Sequence, residues 1–460
     1  MRMPPPWPVH RVHIRKHARW HRGIALLTAI ACTWTAVWTA VVAGTAAAES
    51  AGTRHAQEGR LQGLTSAEID RIMPYTAAGP VALIEFADSK RDELPAINLL
   101  TRIAAPPSQV LSVIRDIKRY PRFMRTLDDV EVVSERQSAV VYDWAWDVAF
   151  FRLRGRNSMR VYEPATGHTD RGYRVTVDSQ GGDFGSGRMS MRILPFEGQQ
   201  SLLTISLRLD LRTSNYIARK AAQAGRSVNR SANMALAYTM ALSFAKEAQK
   251  RSGRTLSPTS SDIGKPDIDE AKLFPLLTRG DLVFLRIKDD RLIQSGALGR
   301  IDLPRAAVRK SMLDADGFGS ALLPGSSAKV TKRLGETTVF DWSIGIPLIG
   351  VSGEMTMHTR EPTISVRATA GALAGGQWHF DLKPMHPQIT LLNTWAAFDV
   401  RKTNMLVRAM ADADPYLALG ISAASEVMLV RALRTKARKE HPLPAAPAST
   451  PSAKRAGREL

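Results

Sequence analysis

The 460-residue sequence holds a single cysteine, Cys32. It lies inside an apolar N-terminal stretch, and removal of that stretch leaves no disulfide, thiol nucleophile or cysteine-ligated metal. Acids are scarce beside bases: 43 Asp and Glu stand against 63 Lys and Arg, a formal net charge of +20. Such an excess favours anionic neighbours such as nucleic acid, anionic lipid headgroups or acidic polymers. Catalytic signatures are missing too. There is no nucleophile elbow, phosphate-binding glycine loop, H-E-x-x-H helix or dinucleotide fingerprint. His10, His13 and His17 fall in the basic leader, and His358, His379 and His386 are scattered without matching carboxylates. No metal and no cofactor is expected, and catalysis has no shared acid–base constellation to rest on.

The N-terminal region is informative by its pattern. Arg2, Arg11, Arg15, Lys16, Arg19 and Arg22 precede an uncharged stretch, Gly23 to Ala48, that closes on Ala46-Ala47-Ala48. Basic, then apolar, then small residues at both positions a peptidase inspects reads as a secretory signal over residues 1–48. The apolar run is also near membrane-spanning length, so a retained anchor stays open. The basic flank puts the rest of the chain across the membrane in either case. The expected location is the periplasm or the outer face of the inner membrane. That location makes an anionic membrane surface a candidate partner and removes nucleic acid from the partners. Residues 440–460, basic and rich in Pro and Ala, are predicted to be a disordered tail.

The decisive pattern is an internal repeat. Tyr142-Asp143-Trp144 recurs as Phe340-Asp341-Trp342, a shift of 198, and the same shift aligns Asp116 with Asp314, Tyr120 with Phe318, Gly155 with Gly353, Met159 with Met357 and Glu163-Pro164 with Glu361-Pro362. Later the shift becomes 189, and Asp210-x-Arg212-x-x-Asn215 aligns with Asp399-x-Arg401-x-x-Asn404. Upstream, Pro74 and Gly79 align with Pro275 and Gly280 at a shift of 201. Matches in this order imply duplication, with one unit over residues 65–251, a linker over 252–266 and a second unit over 267–439.

Each unit reads as α+β. Thr65-x-x-Glu68 is a capping box opening a short helix. Val110, Val113, Ile114 and Ile117 give the next helix an apolar face. Strands with period-two alternation follow. In one, Tyr142, Trp144, Trp146 and Val148 oppose Asp143, Ala145 and Asp147; in the next, Gly155, Asn157 and Met159 oppose Arg152, Arg154, Arg156 and Arg160. One apolar and one wet face is expected for an antiparallel sheet covered on one side. The cover is a long Ala-, Met- and Leu-rich helix over residues 227–250, with a partner starting near Pro415. The Arg stripe reads as a solvated face, or as a contact for anionic headgroups. The repeated Asp-x-Arg-x-x-Asn reads as a cap and ion pair at a strand-to-helix turn.

This order of elements, with Pro106-Pro107-Ser108-Gln109-Val110, Asp116 and Arg119-Tyr120-Pro121 at the first helix and its exit, resembles the START/polyketide-cyclase (SRPBCC, helix-grip) superfamily. The resemblance implies two tandem helix-grip domains, each a curved antiparallel sheet wrapped around a long C-terminal helix, with a cavity for a lipid, sterol, quinone or polyketide. The cavity-lining residues it implies are Tyr142, Trp144, Trp146, Asn157, Met159, Met189 and Met191 in the first unit. In the second they are Phe340, Trp342, Met355, Met357, Trp378 and Phe380. The second unit departs at the helix exit, where Gly317-Phe318-Gly319 replaces Arg-Tyr-Pro, so its cavity mouth is expected to differ. The preferred reading is an exported carrier of an apolar small molecule or lipid. A structural envelope protein with filled cores that binds anionic partners, and a cyclase/aromatase-like enzyme, stay open.

Overall fold

The computed structural model describes residues 61, 63–86, 96–136, 138–148, 151–164, 172–183, 185–213, 226–256, 267–322, 325–346, 349–403 and 405–442. The leader with Cys32, the tail from residue 443, Asn215 and Asn404 lie outside the described residues, as do positions 257–266 of the expected linker.

The first half runs α1 (Ser66–Ile72), β1 (Val81–Glu85), β2 (Ile97–Ile103), α2 (Pro107–Arg115), α3 (Tyr120–Phe123), β3 (Leu127–Arg136), β4 (Ala139–Val148), β5 (Phe151–Tyr162), β6 (Tyr173–Gly182), β7 (Ser186–Phe196), β8 (Gln200–Asp210) and α4 (Arg226–Ser252). The second repeats it as α5 (Glu270–Leu273), β9 (Gly280–Lys288), β10 (Arg291–Ile301), α6 (Arg305–Leu313), α7 (Ala315–Leu322), β11 (Ser327–Leu334), β12 (Thr337–Ile346), β13 (Ile349–His358), β14 (Thr363–Gly371), β15 (Gln377–His386), β16 (Ile389–Ala397), α8 (Met405–Ala413) and α9 (Pro415–Glu440). These are two tandem helix-grip units. The Thr65 capping box forms as read: its hydroxyl accepts from Glu68 N, and the Glu68 carboxylate accepts from Thr65 N.

The halves share one antiparallel sheet of 16 strands, ordered β11-β12-β13-β14-β15-β16-β10-β9-β1-β2-β8-β7-β6-β5-β4-β3. The joint is β1 against β9. Ala82 pairs with Val283, its own counterpart at the repeat shift of 201, flanked by Val81 with Phe284 and Leu83 with Leu282. The seam is therefore self-complementary, as an isologous contact is. Here the expectation of one wet face fails. Ala82, Ile84, Val283 and Leu285 join the main core under the long helices, while Val81, Leu83, Leu282 and Phe284 join a second core on the opposite face with Ile69, Ile72, Leu276 and Leu277. The short opening segment of each half covers that outer face. This is why Val81-Ala82-Leu83-Ile84 is apolar without alternation.

On the inner face α4 packs against β2 and β8, α9 against β9, β10 and β16, and the two helices against each other. Among the described residues α9 alone is long and apolar enough to cross a membrane, but it is mostly buried as the roof of the second half. The matched residues Asp116 and Asp314 have matched jobs. Each takes a cation from the C-terminal end of its own long helix, Arg251 at 3.1 Å and Lys436 at 2.8 Å. The free edges β3 and β11 carry bulges and charged side chains, which discourage pairing with other chains.

Candidate functional site

Both halves build the same wall device. On β4, Trp144 lies opposite Gly155 of β5; on β12, Trp342 lies opposite Gly353 of β13. The glycine makes room for the indole. A Cβ on Gly155 would fall 2.4 Å from Trp144 Cζ2, and one on Gly353 would fall 3.2 Å from Trp342 Nε1 and 2.4 Å from the Ala370 carbonyl oxygen. Gly155→Val is expected to displace the indole and to destabilise the protein by roughly 1–3 kcal/mol through overpacking. The shift of the urea midpoint at unchanged slope measures it.

In the first half the helix-facing side of the sheet leaves a cavity of about 70 Å³. Tyr142, Trp144, Trp146, Asn157 and Met189 line it from the sheet, Tyr120 from α3, and Leu236 and Met240 from α4. Its polar centre is Asn157. With the amide oxygen turned inward, Asn157 accepts from Tyr142 Oη and Trp144 Nε1, each at 3.3 Å. Burial pushes the Tyr142 phenol up to about 12. A phenol held neutral in this way is no acid or base near neutral pH.

In the second half the cavity is about 140 Å³. Phe340, Trp342, Met355, Met357, Trp378 and Phe380 form its sheet side; Phe318 and Leu322 of α7 and Ser425, Met428 and Leu429 of α9 line it from the helices. Trp378 stacks on Phe398 with centroids 5.3 Å apart. No charged side chain lines it. Ser425 Oγ donates to its own helix, to Ser422 O at 2.7 Å. Trp342 is 7% exposed, and its Nε1 has no acceptor among the described residues. At the position of Asn157 this half has Met355.

The structure thus brings Tyr142, Trp144, Trp146, Asn157 and Met189 together on one cavity wall, and all six residues read for the second half on the other. Met159 and Met191 are corrections. Both are buried in the core but off the cavity wall, further along β5 and β7. There α2 packs on β7, β8 and α4, and that end of the grip is filled. The α7 residues Phe318 and Leu322 were not read as lining, although Phe318 had been aligned with Tyr120, which lines the first cavity. Where the first half exits its helix into the four-residue α3, the second continues into the eight-residue α7, so the cavity mouths differ.

The outer face is less available to anions than the Arg stripe suggested. Arg152 pairs with Asp128 at 2.6 Å, and Arg156 forks onto Asp143 at 2.6 and 2.8 Å. The Asp143 carboxyl is held below its usual range by the Arg156 hydrogen bonds. The repeated Asp-x-Arg forms the same fork twice, Asp210 with Arg212 and Asp399 with Arg401. His379 stacks on Trp395. Among the described residues no cluster of His, Cys, Asp and Glu is placed to hold a metal ion.

With this geometry in hand, a family model bears out the resemblance to the START/polyketide-cyclase superfamily over part of the first half. Residues 103–237 match the family model described as polyketide cyclase / dehydrase and lipid transport. No curated protein matches the chain in sequence. Among solved structures, the di-domain aromatase/cyclase StfQ of the steffimycin biosynthetic pathway is 10% identical, spans 75% of this chain and 98% of its own, and has a TM-score of 0.26. A STAR-related lipid transfer protein of Xanthomonas axonopodis is 10% identical over 37% of this chain and 93% of its own, with a TM-score of 0.29. Human STARD10 is 13% identical over 38% of this chain and 70% of its own, with a TM-score of 0.30.

Proposed function

We propose that this chain, whose residues 103–237 carry the family match, is an exported, non-catalytic carrier of a hydrophobic ligand in the cell envelope, held mainly by the second half. The family description supports hydrophobic-ligand binding or polyketide cyclase-like chemistry. The observation that favours carriage is the second cavity, lined in part by α7 and α9 and without a charged group on its wall. Acid–base chemistry needs titratable groups converging on the ligand; the second cavity has none on its wall, and in the first the Tyr142 phenol stays neutral. The space also speaks against a structural protein with filled cores. At about 140 Å³ it is close to the size of cavities known to take a single aromatic ring. Met355, Met357 and Met428 can rotate to admit more, because an unbranched thioether side chain has many accessible rotamers. Export rests on the basic, apolar and A-x-A leader. Contact with an anionic membrane is assigned to the basic tail, because Arg152 and Arg156 of the Arg stripe are held in ion pairs.

Native mass spectrometry and solvent extraction of the full chain purified from the envelope test this reading. The expected result is an apolar molecule that co-purifies. Ser425→Phe, which pushes a ring into the second cavity, is expected to lower its occupancy at least about tenfold, because a filled site loses the apolar contact on which binding rests. Met240→Phe in the first half should leave occupancy unchanged. A protein that emerges empty and takes up no added lipid would transfer the weight to the structural reading.

A further inference from the structure

The two cavities differ in what their walls can bond to. In the first, Asn157, Tyr142 and Ser179 bring polar side chains to the wall. In the second, Met355 stands at the position of Asn157, and the surface presented is almost entirely carbon and sulfur. Its polar groups are turned elsewhere. The Ser425 hydroxyl donates to Ser422 O at 2.7 Å, and the Trp342 indole nitrogen is buried against Gly353 of the neighbouring strand. The wall strands pair their backbone groups with each other, β12 with β13 and β14 with β15. An oxygen or nitrogen carried in by a ligand would leave water and find no partner, which costs about tenfold or more in affinity for each such group. A C–H surface meets no such penalty.

We propose that the second cavity encloses a hydrocarbon group of about one ring's size, one that carries no oxygen or nitrogen, and that it rejects oxygenated rings. Within the family description, this selects the hydrocarbon end of a lipid and rejects a polyketide, whose chain bears oxygen along its length. The inference rests on the carrier reading and adds the ligand class to it.

The compounds p-xylene and hydroquinone have nearly the same shape, and hydroquinone carries a hydroxyl at each end, so at least one must face the wall. Calorimetric titration of each into the full chain tests the inference. The wild-type chain is expected to bind p-xylene at least about tenfold more tightly. Met355→Gln places an amide on the wall, and it is expected to narrow that gap about fivefold, the size of one recovered hydrogen bond. Retained p-xylene binding shows that the variant is folded. A smaller wild-type gap, or a gap that the folded variant leaves unchanged, overturns the inference and leaves the carrier reading standing. The molecule that co-purifies with the chain is an independent readout. A lipid with a hydrocarbon end supports the inference, and a molecule oxygenated along its whole length overturns it. Failure of the wild-type chain to bind either compound, with no co-purified ligand, overturns the carrier reading itself.

Discussion

Asp281→Asn is expected to lower the unfolding free energy by about 3–5 kcal/mol, the usual consequence of stripping one partner from a buried charge pair. Asp281 begins the apolar run of β9 and is fully buried. Two arginines of α9 meet it: Arg431 Nε donates to its Oδ2 at 2.9 Å, and Arg434 donates to both of its oxygens. The same arginines reach across the seam. Arg431 also donates to the Ile84 and Glu85 carbonyls of β1, at 3.1 and 3.0 Å, and Phe86 lies under both guanidinium groups. The roof helix of the second half is thereby clamped to the first strand of the first half. With Asn at 281, two guanidinium groups stay buried with no counter-charge. The sign of the pH dependence follows. Burial alone would raise the Asp281 pKa, but attraction and hydrogen bonds from Arg434 and Arg431 outweigh it and hold the carboxyl below its usual range. Its contribution is therefore present above the unfolded-state value near 4 and is lost as the pH falls through the folded value. Urea unfolding at pH 7 and at strongly acidic pH should show a large difference between wild type and variant at the first and a shrinking one at the second. A difference under about 1 kcal/mol at pH 7 would mean that the clamp stabilises no more than a surface pair does.

The clamp was not readable from the sequence, and the reason is general. Period-two alternation reports which face of a strand is apolar, not which edge pairs with which neighbour. Asp281 ahead of Leu282-Val283-Phe284-Leu285 therefore looked like the residue before a strand, and the β1–β9 seam left only one trace: Val81 to Ile84 do not alternate. The cavity walls were more accessible. Trp144 with Gly155 and Trp342 with Gly353 occur at one constant shift, and a pair that recurs in two copies marks a cross-strand contact twice over. The depth of each wall was not accessible. Met159 and Met191 have the same phase as Met189 and Asn157, and only the seating of α2 at that end of the grip decides that they line no space. The polar difference between the cavities lay in plain view, Asn157 against Met355. Its meaning required the indole geometry that leaves one N–H partnered and the other not.

Glu426 was equally hidden, since a lone acid on a long helix reads as solvent-facing. With the sheet on one side and α4 on another, α9 has little wet surface, and Glu426 is fully buried. Its carboxyl accepts from Ser295 Oγ of β10 at 3.0 Å and Thr394 Oγ1 of β16 at 2.9 Å, and among the described residues no basic side chain pairs with it. Burial raises its pKa from 4.5 to about 7, against the smaller opposing effect of those two hydroxyls. For an acid whose folded value lies above its unfolded one, the folded state holds the proton more tightly. Stability from this group is complete below about 4.5, declines as the pH rises to about 7, and is level above that. The cost of the ionised form is on the order of 3 kcal/mol. Glu426→Gln keeps the shape while removing the charge: its amide oxygen can accept from one hydroxyl and its NH2 can donate to the oxygen of the other. It is expected to leave stability near the wild-type value at pH 5 and to raise it by about 3 kcal/mol at pH 8. Other carboxyls held below their usual range, Asp281 among them, titrate at lower pH and cancel in the difference between the two proteins. Chemical denaturation across pH 4.5–8.5 measures that difference directly, and a flat line would show that Glu426 carries its charge without penalty.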